Sequence, residues 1–154
     1  MADAVVTIQD DELKALCSRL NGMALSASDR HDLLNRIGVE MVRQTKDRFH
    51  TKLTPDGDDW KDIADATKKY YLRKFGDENP GKGILWRESL VPLRDTIQSE
   101  AGTWDVLVGA ASVYAAVHQF GYKKIPARPY LGLVGDDKED VIKVIELFIA
   151  EKMK

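Results

Sequence analysis

Two prolines constrain this chain more than any other feature. They lie in Ile125-Pro126-Ala127-Arg128-Pro129-Tyr130-Leu131, just after His118-Gln119-Phe120-Gly121. Each ring fixes φ, removes a backbone donor and disfavours helix in the residue before it. The segment is therefore neither helix interior nor central strand. It runs extended over a surface and holds Arg128 at a set place without a sheet around it. Gly121 stops the preceding helix, because a left-handed conformation costs glycine little. That helix is expected over Val113 to Phe120, with Ser112 at its cap.

At 154 residues the chain is expected to form one domain, 1–154, with a core of its own. Ala4 to Ile8 reads as a short strand. Asp10, Asp11 and Glu12 then favour a helix N-terminus, where carboxylates meet the positive end of the dipole, and Asn21-Gly22 ends that helix. Ser26-x-x-Asp29 resembles a capping arrangement for a second, longer helix. Along it Leu33, Leu34, Ile37, Met41, Thr45 and Phe49 recur at helical spacing as one apolar stripe. Arg30, Arg36, Arg43, Lys46 and Asp47 form its wet face.

Pro55-Asp56-Gly57 is a turn, with proline presetting the first corner and glycine accepting positive φ. Trp60 follows as an anchor. A helix over Asp65 to Phe75 has Ala66, Tyr70 and Leu72 or Phe75 as inner candidates. Residues 76–83 hold turn formers and nothing to bury, which predicts an exposed, mobile loop. Ile84 to Leu90 is apolar enough to pack, and Pro92 ends it. Strands are expected at Arg94 to Glu100 and Thr103 to Gly109, with Trp104, Val106 and Val108 on one side of the second. Asp136-x-x-Glu139 opens a last helix, Asp140 to Met153, apolar over more than half its circumference. The fold class is α+β: N-terminal helices and a C-terminal helix packed on a small antiparallel sheet, with long loops.

Chemistry-bearing patterns are sparse. His31, His50 and His118 form no metal-ligating pair, and no nucleophile elbow, phosphate loop or dinucleotide motif is present. Asp56, Asp58 and Asp59 lack the spacing and closing glutamate of a calcium loop. The lone cysteine, Cys17, stands at helical spacing with Leu13, Leu16 and Leu20, which reads as a buried thiol. No apolar run is long enough for a membrane span and no leader is visible, so a cytoplasmic origin is expected. The net charge of −2 argues against a dedicated nucleic-acid binder. Basic residues nevertheless gather at Lys68, Lys69, Arg73, Lys74, Lys82 and Arg87, and again at Lys123, Lys124 and Arg128, interleaved with Tyr70, Tyr71 and Trp86. That mixing reads either as a solvated face or as a surface facing DNA. Arg128 has two readings: its planar fork ties the loop to an acid of its own subunit, or it crosses a subunit interface.

HQFG…IPARPYLGL, together with Pro55-Asp56-Gly57-x-x-Trp60 and Ile84-Leu85-x-x-x-x-Leu90, resembles the phage virion morphogenesis family in order and spacing over roughly residues 30 to 150. Where the family would place Thr-Gly before Leu90, this chain has Glu88-Ser89, replacing the turn by continuing helix or extended chain. The resemblance implies a structural protein of tail completion and head–tail joining, without enzyme activity, cofactor or metal. It implies a homo-oligomeric ring, of six if set by the tail, and contact with the tail terminator, tube or connector proteins. DNA would pass through the lumen, with Lys68, Lys69, Arg73, Lys74, Lys123 and Lys124 as the DNA-facing candidates. Trp60, His118, Phe120, Arg128, Tyr130, Leu131 and Phe148 are the partner-interface candidates. The setting would be the host bacterial cytoplasm during assembly, then the neck or tail end of the virion. Two rivals are an independent nucleic-acid-binding accessory module and a small hydrolase; no pair of titratable groups in the sequence supports the hydrolase.

Overall fold

The computed structural model describes residues 11–77, 84–85 and 92–154. The expected strand at 4–8, residues 78–83 of the 76–83 loop, the 86–90 stretch with Trp86, Arg87 and Glu88-Ser89, and the Cys17 side chain lie outside the described residues.

The fold is α+β, with helices on a two-stranded antiparallel sheet. Helix α1 spans Asp11–Gly22 and the long helix α2 spans Ala27–Thr51. Ser26 caps α2: its Oγ accepts from the Asp29 N–H at 3.0 Å and donates to the Asp29 carboxylate at 2.7 Å. This satisfies one of the helix's orphan donors. At the other end Lys52 turns left-handed (φ 62°) and its N–H reaches the Arg48 carbonyl.

Strands β1 (Ile97–Ala101) and β2 (Val106–Ala110) form a hairpin in which Ser99 faces Val108. One side of α2 lies against this hairpin; another side meets helix α5, Asp136–Lys152. At Gly38 helix and hairpin are in close contact. A Cβ there would stand 2.8 Å from the Ser99 Cβ and 2.9 Å from a Val106 methyl. Only a residue without a side chain lets the helix sit this deeply on the sheet.

The core has two parts. Leu16, Leu33, Val141, Ile145, Phe148 and Ile149 join α1, α2 and α5, with Leu133 added from the loop before α5. Trp60, Leu93, Ile97, Ala115, Tyr130 and Leu131 form the second cluster, against which Phe49, Ile84, Leu85 and Val108 are partly buried. The Phe49 ring meets Trp60 edge-on at 5.3 Å and Tyr130 at 5.5 Å. The long helix thus carries both clusters.

Several expected boundaries shift. Arg94 to Thr96 belongs to a 3-10 turn, Leu93–Thr96, started by Pro92 and closed by the Thr96 hydroxyl donating to the Leu93 carbonyl. Trp104 sits in the turn between the strands, 70% exposed, with the Arg30 guanidinium 3.7 Å above its ring. The helix before Gly121, α4, is only Ala115–Phe120, and Ser112 accepts from the Tyr114 N–H one residue ahead of it. Helix α5 begins at Asp136 instead of Asp140, because Asp136, Asp137 and Glu139 suit its first turn. Helix α3, Asp65–Phe75, has no buried residue: Ala66, Tyr70, Leu72 and Phe75 are all exposed. Its aromatic rings stack along their own helix, Tyr71 lying 5.9 Å from Tyr70 and 6.0 Å from Phe75.

Candidate functional site

An extended strand with no neighbour leaves backbone donors and acceptors bare, and a buried one must find other partners. Residues 128–132 solve this with side chains. Arg128 donates its N–H to the His118 carbonyl at 2.7 Å. The Trp60 indole donates to the Pro129 carbonyl at 2.8 Å. Gln119 uses one oxygen to accept from both the Tyr130 and Leu131 N–H groups, and its amide donates to the Leu131 carbonyl, each at 3.0 Å. Arg48 reaches from α2 to the Tyr130 carbonyl at 2.7 Å and the Gly132 carbonyl at 3.3 Å, and also pairs with Asp137. Gln119 and Arg48 are buried, and together with Trp60 they stand in for a neighbouring strand.

The Pro55 turn docks on the same segment. The Gly57 N–H bonds back to Thr54, and Gly57 takes φ 89°. The Pro55 ring lies so close to Gly132 that a Cβ there would come within 2.6 Å of it. Arg128 completes the joint: Nε donates to the Lys61 carbonyl at 2.5 Å and Nη2 to the Asp62 carbonyl at 2.8 Å. Its fork therefore stays within the subunit, on backbone carbonyls where an acid was one of the two expectations. The Asp62 carboxylate is instead bonded by Lys68 at 2.6 Å, which holds it below the usual carboxylate range.

Burial pulls the Arg128 guanidinium below its ordinary value, offset in part by the charge of Asp62. Burial and the positive Arg128 also lower His118, which keeps its ring neutral near pH 7. The His118 Nδ1 is buried without a hydrogen-bond partner among the described residues. Tyr130 is fully buried; its hydroxyl donates to the Ala115 carbonyl at 3.0 Å, and burial pushes its pKa up to about 12. No cluster of metal-ligating side chains occurs among the described residues, and no helix there is long and apolar enough to cross a membrane.

The interface candidates thus divide. Trp60, Arg128, Tyr130, Leu131 and Phe148 are buried and engaged within their own chain, and His118 is half-buried. A ring at zero exposure, as for Tyr130 and Phe148, has no face to offer a neighbour in this conformation. Phe120 differs, being 57% exposed. Near it in sequence, Val113 and Tyr114 before α4 and Tyr122 and Ile125 in the turn after it are all exposed too. Tyr122 and Ile125 pair through two backbone hydrogen bonds, which places Lys123 and Lys124 at the tip. Gly121 makes this turn possible: it takes φ 78° and ψ 159°, and a Cβ would meet the Ala127 nitrogen at 2.9 Å. Along α3, Lys69, Arg73 and Lys74 are exposed, while Lys68 is held by Asp62.

Arg48, Gln119, Gly38 and the exposed Val113, Tyr114, Tyr122 and Ile125 escape a reading of the sequence alone. Gln119 has one usable signal, its place inside HQFG.

The phage virion morphogenesis family model matches residues 11–149. Two similar proteins are from Haemophilus influenzae. Mu-like prophage FluMu G protein 1 is 27% identical over 80% of this chain and 82% of its own length. G protein 2 is 27% identical over 92% of this chain and 94% of its own. An uncharacterized protein of Methanocaldococcus jannaschii is 28% identical over 78% of this chain and 90% of its own. No solved structure matches. With the family match running through both core clusters and the 128–132 segment, this chain belongs to the phage virion morphogenesis family, and its role lies in building a phage particle.

Proposed function

We propose that this protein completes the tail end of a phage particle and joins it to the head, by self-assembly and contact, with no covalent bond made or broken. The observation that carries this reading is the surface on and around α4. There Val113, Tyr114, Phe120, Tyr122 and Ile125 stay exposed although the neighbouring Ala115 and His118 carbonyls are bonded to Tyr130 and Arg128. Scattered apolar residues on a surface are ordinary, but five exposed large ones within thirteen residues of chain are a concentration of the kind that contact sites show. Copies associating through it would close into a ring whose order matches the tail, and the ring would meet terminator, tube or connector proteins. The protein would work in the host cytoplasm during assembly and then in the neck or tail end of the virion.

The test is deletion of the gene followed by electron microscopy of the lysate. Filled heads and finished tails, separate from one another, are the expected outcome. Joined, infectious particles at normal yield would refute the proposal.

A nucleic-acid-binding accessory role is the second reading. Helix α3 favours it, because it exposes Lys69, Arg73 and Lys74 beside the 42% exposed Tyr70, and Lys123 and Lys124 add charge elsewhere. Retention of the purified subunit on DNA, falling steeply with salt, would support it. As a lumen lining, the same residues would show little affinity until a ring forms.

A further inference from the structure

A ring built head to tail needs two different surfaces on each copy that fit one another. The first is the α4 surface, whose tip carries Lys123 and Lys124; no acid occurs between Ser112 and Ala127. The second stands at the far end of the hairpin. Ser99 and Val106 face α2, so strand alternation turns Glu100 and Leu107 outward, and the register places these two opposite each other. Leu107 is 63% exposed, and Asp105 is exposed beside it in the turn, whereas Trp104 lies under Arg30 on the α2 side. Glu100, Asp105 and Lys124 make no ion pair among the described residues, and the Lys123 ammonium lies only over the Tyr122 ring. Strand β2 sets the two surfaces apart: Leu107 lies near its start, about 10 Å of strand before Ala110, and Val113 follows Ala110 by three residues, so one subunit can engage two neighbours at once.

We propose that the Lys123/Lys124 tip of one copy docks on the Glu100–Leu107 face of the next, with Phe120 and Tyr122 meeting Leu107. This rests on the ring-assembly reading above and names its two surfaces. Opposite charges would set direction and register while the apolar residues supply affinity.

The experiment supplies variants to a phage lacking the gene. The pair Lys123→Glu with Lys124→Glu, and separately Glu100→Lys with Asp105→Lys, each set like charges against one another. Either should lower the yield of infectious particles at least about tenfold. The chain carrying all four reversals should regain most of that yield, because every contact again pairs opposite charges. Circular dichroism melts confirm that each variant is folded; if a double reversal melts low, the exchange Lys124→Glu with Glu100→Lys tests the same contact. Unchanged yield from the double reversals overturns the proposal. Loss without recovery in the fourfold variant also overturns it, since those surfaces then meet a different protein and the assembly role itself stands. A gene deletion that costs no yield fails the assembly role instead.

Discussion

Replacing Gln119 by leucine tests whether the frame around 128–132 holds the fold as the geometry implies. The amide makes three hydrogen bonds, accepting from the Tyr130 and Leu131 N–H groups and donating to the Leu131 carbonyl. Leucine is close to glutamine in size, so packing loss is small and the polar loss dominates. The three backbone groups stay buried without partners, at about 1 kcal/mol or more each. That totals about 3 kcal/mol, a large part of the 5–15 kcal/mol typical of a whole domain. For a chain of this length it corresponds to a melting point lower by about 6–12 °C. Thermal melts followed by circular dichroism read it directly. Gln98→Leu, on the exposed outer side of β1, is the control and should move the melt by under about 2 °C. If Gln119→Leu moves it no further than the control does, the side-chain frame is not what orders the extended segment.

Two further predictions follow from single contacts. Gly38→Ala should destabilise the protein even though alanine gains about 1 kcal/mol of helix propensity over glycine; the Cβ meets Ser99 and Val106 under 3.0 Å, and overpacking of that kind costs about 1–3 kcal/mol. Urea titration gives the sign, and a gain in stability would show that helix and hairpin can separate freely. Tyr130 titrates near 12 when folded, against 10 in the open chain. Stability it contributes is complete below pH 10 and is lost as pH rises from 10 toward 12, at about 1.4 kcal/mol per pH unit. Tyr130→Phe should show a shallower alkaline decline in melting point than the parent, and equal slopes would place the phenol in contact with water.

Much of the fold is legible in the sequence wherever local rules decide. Ser26, the 33–49 stripe, the Pro55-Asp56-Gly57 turn and the Gly121 stop each act within a few residues of themselves, and the structure has each. Boundaries shift where two local rules compete. Arg94 to Thr96 has strand-compatible residues, but Pro92 and the Thr96 hydroxyl close a turn first. The larger gap concerns polar residues used inside. Glutamine and arginine on helices normally face water, and although the prolines announce an extended segment, nothing in the chain says that Gln119 and Arg48 turn inward to supply its donors and acceptors. Their partners lie 11 and 82 residues away for the Tyr130 bonds. The same distance explains the interface candidates: aromatic and proline-framed residues look like contact residues, and Trp60 and Tyr130 are contact residues, but with Phe49 of their own chain. Helix α3 errs the other way, because its rings occur at core-like spacing and yet none of its residues is buried.

The way the core is built bears on how a contact surface could work. Helix α4 has six residues, too few to be stable alone, and the Tyr122–Ile125 turn is held by two hydrogen bonds. What fixes both is the frame behind them: Gln119 and the His118 carbonyl on one side, and Arg48, Trp60 and the Pro55 turn on the other. Ordering the backbone of a surface before it binds removes the entropy loss that a floppy segment suffers on association, about 1–2 kcal/mol for each residue fixed. A turn already set around Tyr122 and Ile125 would spare several kcal/mol at every subunit contact in that way. On the assembly reading, the signature residues that look made for partners would serve it indirectly, since their burial sets where Phe120 and the lysine tip stand.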